Sequence, residues 1–411
     1  MRKENETQSR RIRGTSVLVA AGLVCAGLLG LQLAFAAAGG AGEPAGKDAL
    51  AEKLVNQCAA IKEGDAVLIS GGAGNQELLE NIAVQVRKQG GFPLLTFGSD
   101  RLTKRMLDDV PAKYDSQKPS LDLALAGIID AIISVDYGEG EGLLAHVPAE
   151  RMAARAKAAQ PVMNAFLKRG VRQVNLGNGL YPTEALAKRF GVEKEQLSKI
   201  FWDGVNVDYS KLQATGDAVR SSIASGKEIH ITTPNGTDLK ARIEGRQIFV
   251  SDGVITPEKI KKGGPASQTW LPAGEVYLSA VPGTAEGKVV VPRQMFRGKT
   301  IESLTLTFKA GKLTSMSAKA GLEPLKALYD ASGEGKDVFG IIDLGINPNV
   351  HLVPGSRMDA WMPAGMVTVA FGANDWAGGE NSSSFSLSSF LPGSTVTVDG
   401  KTLVEKGSLK M

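Results

Sequence analysis

Hydrophobic positions in the first half of the chain alternate between helical and strand-like spacing. Leu50, Leu54, Cys58 and Ile61 recur every three or four residues, which predicts an amphipathic helix that stops at Gly64. Short apolar runs between turn residues predict buried strands, and longer amphipathic stretches predict helices. The predicted strands cover 66–70, 93–97, 128–135 and 171–176, and the predicted helices cover 76–89 and 150–168. This alternation predicts an α/β domain with an open, mostly parallel sheet at about 47–225.

The pattern changes near Gly226, after which short β-like runs alternate with turns and one clear helical stretch, 322–331, remains. The predicted strands cover 228–233, 239–243, 288–291, 304–308, 338–344, 366–371 and 395–398. Closely spaced short strands with few helices are typical of a β-rich α+β domain. We therefore predict a second domain at about 226–411.

Residues 1–38 carry the pattern of an export signal rather than of a folded domain. Five basic residues stand in front of or close to the start of an apolar run from Val17 to Ala38. Ala34 and Ala36 then supply the small residues that a signal peptidase accepts. The run is long for a cleaved signal, so the segment could instead stay as an N-terminal membrane anchor. Either interpretation predicts an exported protein, periplasmic or attached to the envelope, whose membrane contact is this segment alone.

Charge and cysteine content limit the classes of function further. The formal net charge is +4, but residues 1–38 contribute +3 of it, which leaves about +1 for the rest. Without a basic stripe and interleaved aromatic residues, the sequence gives no support for nucleic-acid binding. Cys58 is the one cysteine after the export segment, so the remaining chain can form no internal disulfide. Its place in a helical pattern predicts core packing.

Two glycine-rich segments hold reactive residue types, but each has a simpler interpretation. Gly71 to Gly74 follow the first strand, where a dinucleotide-binding loop would begin, yet Glu77 replaces the third glycine of that fingerprint and would repel a pyrophosphate. A plain strand-to-helix turn is the better interpretation, and no nucleotide cofactor is predicted. The second segment has carboxylates and an imidazole that could bind a cation, although acidic loops at strand ends are commonly just solvated. Its residues are Asp136, Glu139, Glu141 and His146.

Turn motifs in the second half form an ordered set between residues 234 and 400. Each motif alone is turn chemistry between strands. The set comprises Pro234-Asn235-Gly236-Thr237-Asp238-Leu239, Leu271-Pro272-Ala273-Gly274-Glu275-Val276, Gly345-Ile346-Asn347-Pro348, Val369-Ala370-Phe371-Gly372-Ala373-Asn374, Gly378-Gly379 and Val398-Asp399-Gly400. In this order the motifs resemble the thermophilic metallo-aminopeptidase family, which includes aminopeptidase T and its leucyl aminopeptidase relatives. The resemblance covers most of the chain after the export segment and implies the fold of that family and a homodimer.

The resemblance also implies where metal ligands should lie. Enzymes of that family hold two metal ions with two glutamates, two histidines and an aspartate, and they hydrolyse the N-terminal peptide bond. The first glutamate matches Glu275, and the place of the second, counted back from Pro348, falls on Ile341. Asp343 lies two residues further along the same predicted strand face and could partly stand in.

The other three ligand positions hold hydroxyl side chains in this sequence. The family's first histidine falls on Thr368, and its His-x-Asp pair falls near Ser386 and Ser388. Hydroxyls are weak ligands for a divalent transition metal beside imidazole and carboxylate. The resemblance therefore implies that the fold signature is kept while most of the ligand set is replaced.

Three functions stay open at this point. The favoured one is an exported, aminopeptidase-like protein that has lost the dinuclear metal centre and acts as a non-hydrolytic binding or structural module, with a peptide or small molecule as its possible ligand. The alternative is an active aminopeptidase with an altered ligand set for zinc, cobalt or manganese, such as a site rebuilt from Glu275, Asp343, His351 and Asp375. The third is a different enzyme that uses the carboxylates alone, with Glu275 and Asp343 held at different pKa values.

Overall fold

The computed structural model of the protein describes residues 46–138 and 141–410, so the predicted export segment and Glu139 lie outside the described residues. The α-helices are α1 Gly46–Glu52, α2 Gln76–Lys88, α3 Asp100–Asp108, α4 Ser120–Ala126, α5 Ala149–Arg169, α6 Glu184–Phe190, α7 Lys194–Val205, α8 Tyr209–Ala224, α9 Pro257–Lys262 and α10 Glu323–Ala331. Within the described ranges, no helix has both the length and the apolar character that a membrane span requires.

The strands begin with a parallel set and continue with mostly antiparallel ones. They are β1 Ala66–Gly72, β2 Phe92–Gly98, β3 Ala131–Val135, β4 Arg172–Leu176, β5 Glu228–Thr232, β6 Asp238–Arg242, β7 Ile248–Ser251, β8 Gln268–Leu271, β9 Glu275–Ser279, β10 Glu286–Phe296, β11 Lys299–Lys309, β12 Lys312–Ser317, β13 Phe339–Gly345, β14 Val367–Gly372, β15 Ser386–Phe390, β16 Thr395–Val398, β17 Lys401–Glu405 and β18 Ser408–Leu409.

The first sheet has the strand order β2-β1-β3-β4-β8, and every neighbouring pair is parallel. This confirms the predicted α/β region, including the four predicted strands and the helices α2 and α5. The predicted strand at 128–135 starts three residues later than expected, at Ala131. Ile128 lies in the preceding turn with 62% of its surface exposed, so its apolar character does not come from burial in the sheet.

The last strand of the first sheet comes from beyond the predicted domain boundary near residue 226. β8 follows β7 in the chain, yet it pairs with β4 through Gln173↔Gln268 and Leu176↔Leu271. The boundary itself stays a prediction, but the chain crosses it to complete the parallel sheet. Only residues 272–274 separate β8 from β9, which belongs to another sheet. The two sheets therefore meet at this short link.

Two antiparallel sheets make up the β-rich region that the sequence predicts. One has the order β12-β11-β10-β6-β5-β16-β17-β18, and the other has the order β15-β14-β13-β9-β7. The second is the more buried, because every residue of β9, β13 and β14 is buried. Strands covered on both faces read as continuous apolar runs rather than as alternating ones. A buried polar residue on these strands is therefore an exception that needs a reason.

Two interpretations of the first region hold in the structure. Gly71 and Gly72 end β1, and a short turn leads from them into α2, so the glycine-rich segment is a strand-to-helix turn. A Cβ atom at Gly72 would lie 2.6 Å from the Cβ of Tyr137, so this glycine makes room for a tyrosine. Cys58 is fully buried in the main core, and burial raises the pKa of its thiol to about 12. It is therefore a core residue, as predicted.

The turn motifs at 271–276 and 345–348 pack directly against each other, next to the link between the two sheets. Gly274 has a φ of +130°, and a Cβ atom at this position would lie 2.7 Å from the Cβ of Asn347. The buried Asn347 amide donates hydrogen bonds to the carbonyls of Ala273, at 2.6 Å, and Gly204, at 3.1 Å. This contact fixes the start of β9 beside the end of β13. It thereby brings Glu275 and Asp343 to one end of the sheet.

Candidate functional site

Two buried carboxyl groups lie side by side where β9 begins and β13 ends. Glu275 pairs with Gly345 and Asp343 pairs with Tyr277, so the two acidic residues occupy diagonal positions on one face of the sheet. Glu275 is 3% exposed and Asp343 is 1% exposed. The Asn178 amide donates a hydrogen bond of 2.7 Å to Oε1 of Glu275. The structure therefore brings together the two residues that the sequence singles out as acidic candidates.

Burial governs the ionisation of this pair. It raises the pKa of Glu275 to about 7, against a smaller opposing effect of the hydrogen bond from Asn178. It also raises the pKa of Asp343 well above its usual range, and the neighbouring charge of Glu275 adds to that rise. Two carboxylates that share a dry site cannot both ionise easily. At neutral pH the pair therefore retains at least one proton.

The other predicted ligand position on β13 lies away from the carboxyl pair's cavity. Ile341 is fully buried in an apolar cluster with Phe249, Tyr277 and Ala370, and it does not line the cavity into which Glu275 and Asp343 open. Alternation along β13 puts positions 341 and 343 on one face, but one strand repeat separates them. Asp343 is thus the β13 residue that accompanies Glu275 in the cavity.

Thr368 on β14 lies directly opposite Asp343 on the neighbouring strand β13. The two residues are register partners, and Thr368 is fully buried. Oγ1 of Thr368 and Oδ1 of Asp343 are both buried and find no hydrogen-bond partner among the described residues. Buried polar atoms are nearly always paired, and an unpaired one costs about 1–3 kcal/mol. Of the two residues, only Asp343 lines the cavity, so its Oδ1 is the atom that a group bound there could reach.

Ser386 and Ser388 lie on β15, at the edge of the same sheet. They line a neighbouring cleft of about 320 Å³ rather than the cavity with the carboxyl pair. Both clefts include Asn178 and Trp361, so the serines lie next to the site without opening into the same space.

A cavity of about 460 Å³ opens above the carboxyl pair. One wall is a single face of α5, whose residues recur at helical spacing: Ala156, Ala159, Gln160, Met163, Asn164 and Leu167. The rest of the lining includes Trp270, Trp361, Trp376 and Asp375. Sequence reasoning named Asp375 but missed the tryptophans and this face of α5. The helical spacing of small and polar residues in α5 was the available signal.

Hydrogen bonds join α5 to the loop between β14 and β15. Nε2 of Gln160 donates to the Ser382 carbonyl, and Nδ2 of Asn164 donates to the Ser382 hydroxyl at 3.0 Å. That hydroxyl in turn donates to Oδ2 of Asp375 at 2.7 Å. The helix of the parallel sheet and the loop of the antiparallel sheet therefore close the cavity jointly.

The histidines lie elsewhere. His146 has its Nε2 2.8 Å from Oδ1 of Asp108, and His230 has its Nε2 2.8 Å from Oδ1 of Asp238. His351 is exposed, and none of the three is among the residues that line the cavity. The proposed rebuilding of a metal site with His351 therefore finds no support in the position of that residue.

The acidic loop after β3 has its own partners. Oδ1 of Asp136 accepts a hydrogen bond of 2.7 Å from Asn175. His146 instead contacts Asp108, so the described members of this predicted cluster have different partners. The side chains of Glu139 and Glu141 lie outside the described residues.

The donor set around Glu275 and Asp343 does not fit a pair of transition-metal ions. Two carboxyl groups fall short of the ligands that two ions need, and the described lining of the cavity contains no histidine. In residues 46–138 and 141–410, no group of three or more His, Cys, Asp or Glu side chains is arranged to hold a metal ion.

The fold is that of the aminopeptidase T class. Wild-type AmpT from Thermus thermophilus matches with a TM-score of 0.69 and 20% sequence identity, over 89% of this chain and 99% of that chain. The 2,5-dihydroxypyridine dioxygenase from Pseudomonas putida KT2440 matches with a TM-score of 0.56 and 13% identity, over 89% of this chain and 98% of that chain. A search of curated proteins gives no match. The profile of the Thermophilic metalloprotease (M29) family matches residues 47–345, and the chain belongs to that family.

Proposed function

We propose that the protein is an exported, aminopeptidase T-like protein that has lost the dinuclear metal centre and binds a peptide or small molecule without hydrolysing it. One observation carries this proposal. The described lining of the cavity includes Glu275 and Asp343 at its base and contains no histidine. Members of this family are normally metal-dependent, and paired ions would activate water and stabilise the oxyanion. Without their ligands, the cavity keeps its walls and loses its means of hydrolysis.

Metal content is the direct test of this proposal. Residues 39–411, expressed without a histidine tag, would be supplied with zinc, cobalt and manganese, dialysed, and measured by mass spectrometry. We expect far less than one metal ion per folded chain and no release of N-terminal residues from peptide substrates. The same assays on Glu275→Ala, with the exposed Glu380→Ala as control, would show whether any bound metal depends on the cavity.

Two outcomes would contradict the proposal. Near-stoichiometric metal that Glu275→Ala removes, together with turnover that a chelator abolishes, would establish the alternative of an active metalloenzyme. Turnover that resists the chelator but is lost in Asp343→Asn would instead establish an enzyme that uses the carboxyl pair alone.

A homodimer and an exported location complete the proposal. Export rests on residues 1–38, which lie outside the described residues. The homodimer rests on the family resemblance, and most of the exposed large apolar side chains among the described residues, which are candidates for its contact, fall in residues 84–163. Leu121 is 72% exposed and Ile128 is 62% exposed. Large exposed apolar surface commonly marks an interaction site.

The dimer is tested by sedimentation equilibrium. We expect twice the chain mass for residues 39–411 and a shift to the chain mass in the double variant Leu121→Lys and Ile128→Lys. A control pair at exposed polar positions, Lys299→Ala and Lys312→Ala, should leave the mass unchanged. An unchanged dimer in the double lysine variant would place the contact elsewhere, and a monomeric parent protein would remove the dimer.

A further inference from the structure

The ionisable side chains that line the cavity above the carboxyl pair are all acidic among the described residues. Its described lining contains three acidic side chains, Glu275, Asp343 and Asp375, and no lysine, arginine or histidine. Two of the three acids are almost completely buried. A buried carboxylate without a cationic partner is costly, so this cavity favours a ligand that brings positive charge.

The hydrogen-bonding atoms at the base of the cavity also favour a ligand group that can donate hydrogen bonds. Oδ1 of Asp343 is buried, lines the cavity, and has no hydrogen-bond partner among the described residues. Oγ1 of Thr368, the register partner of Asp343 on β14, is also buried without such a partner, but Thr368 is not among the residues that line the cavity. The carboxyl oxygens of Glu275 and Asp343 can accept hydrogen bonds from a ligand in the cavity. A primary ammonium offers three donors, whereas a quaternary ammonium offers none, so the base of the cavity favours the primary form.

Tryptophans provide an apolar wall next to this base. Trp270 and Trp376 pack edge to face, with ring centroids 5.8 Å apart and planes at 85°. Tyr277 supports both rings, with centroid distances of 5.6 Å to Trp270 and 5.7 Å to Trp376. Three of the four tryptophans of the chain line the cavity. Aromatic faces attract cations and pack well against flat or aliphatic groups.

The same lining disfavours a carboxylate on the ligand. A free amino acid would need a cationic side chain for its carboxylate, and the described lining offers only neutral donors, the amides such as Gln160 and Gln268 and two serine hydroxyls. Asp375, which also lines the cavity, would repel it. The ligand is therefore positive at one end and uncharged along its body.

We propose that this cavity binds a small organic amine, with its primary ammonium against Glu275 and Asp343 and its apolar body against Trp270 and Trp376. The inference rests on the proposed function, because it names the ligand class of the same metal-free cavity. A volume of about 460 Å³ lies in the range of small-molecule pockets.

The test uses 2-phenylethylamine as the probe and residues 39–411 as the protein. Binding at pH 7 would be followed by tryptophan fluorescence and by calorimetry. The comparison ligands are 2-phenylethanol, the trimethylated quaternary amine, phenylalanine and leucinamide. We expect the amine to bind at least tenfold more tightly than each of the first three, and at least as tightly as leucinamide.

Two variants tie that binding to the cavity base. Asp343→Asn keeps the side-chain size and should weaken amine binding at least tenfold while leaving 2-phenylethanol binding unchanged. Glu380→Gln changes an exposed carboxylate and should leave both affinities unchanged. Circular dichroism and the melting temperature would verify that both variants are folded.

Several results would overturn the inference. Equal affinity for the amine and the alcohol would remove the role of charge, and no change in Asp343→Asn would remove the role of the cavity base. Tighter binding of leucinamide would assign the cavity to a peptide amino terminus instead. Metal content and peptide hydrolysis measured on the same sample separate the two proposals. A metal-free, inactive protein that does not bind the amine overturns this inference alone, whereas bound metal with turnover overturns the proposed function.

Discussion

Exchanging Glu275 for glutamine should stabilise the protein at pH 8. Burial holds the pKa of Glu275 at about 7 in the folded protein, above the ordinary value of 4.5. The folded state therefore binds more protons than the unfolded state between pH 4.5 and pH 7, and its stability falls as the pH rises through that window. A shift of this size corresponds to about 3 kcal/mol. Glutamine avoids the loss because it carries no charge, and its amide oxygen can still accept the hydrogen bond from Asn178.

The measurement is urea unfolding of wild type and variant at a series of pH values. The two free energies of unfolding should nearly agree at pH 4 and separate toward pH 8, with the variant the more stable. The charge of Glu275 also contributes to the raised pKa of Asp343. Because the variant lacks that charge, the difference between the two free energies of unfolding should increase further. Glu380→Gln, at an exposed position, should show no such separation. A constant difference at all pH values would mean that Glu275 does not titrate in this range.

Exchanging Arg172 for methionine should destabilise the fold by about 3–5 kcal/mol, because it leaves a buried carboxylate without its partner. Arg172 and Asp65 are each about 5% exposed, and their charged atoms lie 2.7 Å apart. The guanidinium also donates to the Ala60 carbonyl at 2.6 Å. This contact ties the start of β4 to the segment that leads into β1.

Chemical denaturation measures this effect, with Arg242→Met as the matched control. Arg242 pairs with Glu244 at the surface, where both side chains are about half exposed. Exposed ion pairs contribute about 0–1 kcal/mol, so the control should change little. The double exchange of Arg172 and Asp65 for apolar residues should recover part of the loss, because no charge is then left unpaired. Similar losses in Arg172→Met and Arg242→Met would contradict the assigned role.

The sequence predicts the parallel region well because its strands are short apolar runs between turn residues. It misses seven strands of the second half, namely β7, β8, β9, β12, β15, β17 and β18. β8 is four residues long and contains Gln268 and Thr269, and β15 contains three serines. Their pairing comes from neighbours that lie far away in the chain, which local patterns do not contain. The membership of β8 in the first sheet is a tertiary effect of the same kind.

The site is predicted in part. The turn motifs place Glu275 and Asp343 at the ends of strands, but only the register between β9 and β13 shows that they share one face. Counting back from Pro348 gives Ile341 as the place of the family's second glutamate. A count along the chain does not show which side chain opens into a cavity, and in the structure that residue of β13 is Asp343. The tryptophan wall gathers residues from β8, the loop before β14 and the turn after it. Separate elements of this kind meet only in three dimensions.

Strand β8 belongs to the parallel sheet although it lies after residue 226 in the chain. Its late position determines the order in which the strands of that sheet can pair. During synthesis the chain emerges from its N-terminus, so β1 to β4 are available long before Gln268–Leu271. Until β8 arrives, the outer edge of β4 has unpaired backbone groups, and such an edge can pair with another chain. Pairing across this sequence separation is slow. The interval between residues 176 and 268 is therefore the stage at which the nascent protein is most open to edge-to-edge aggregation.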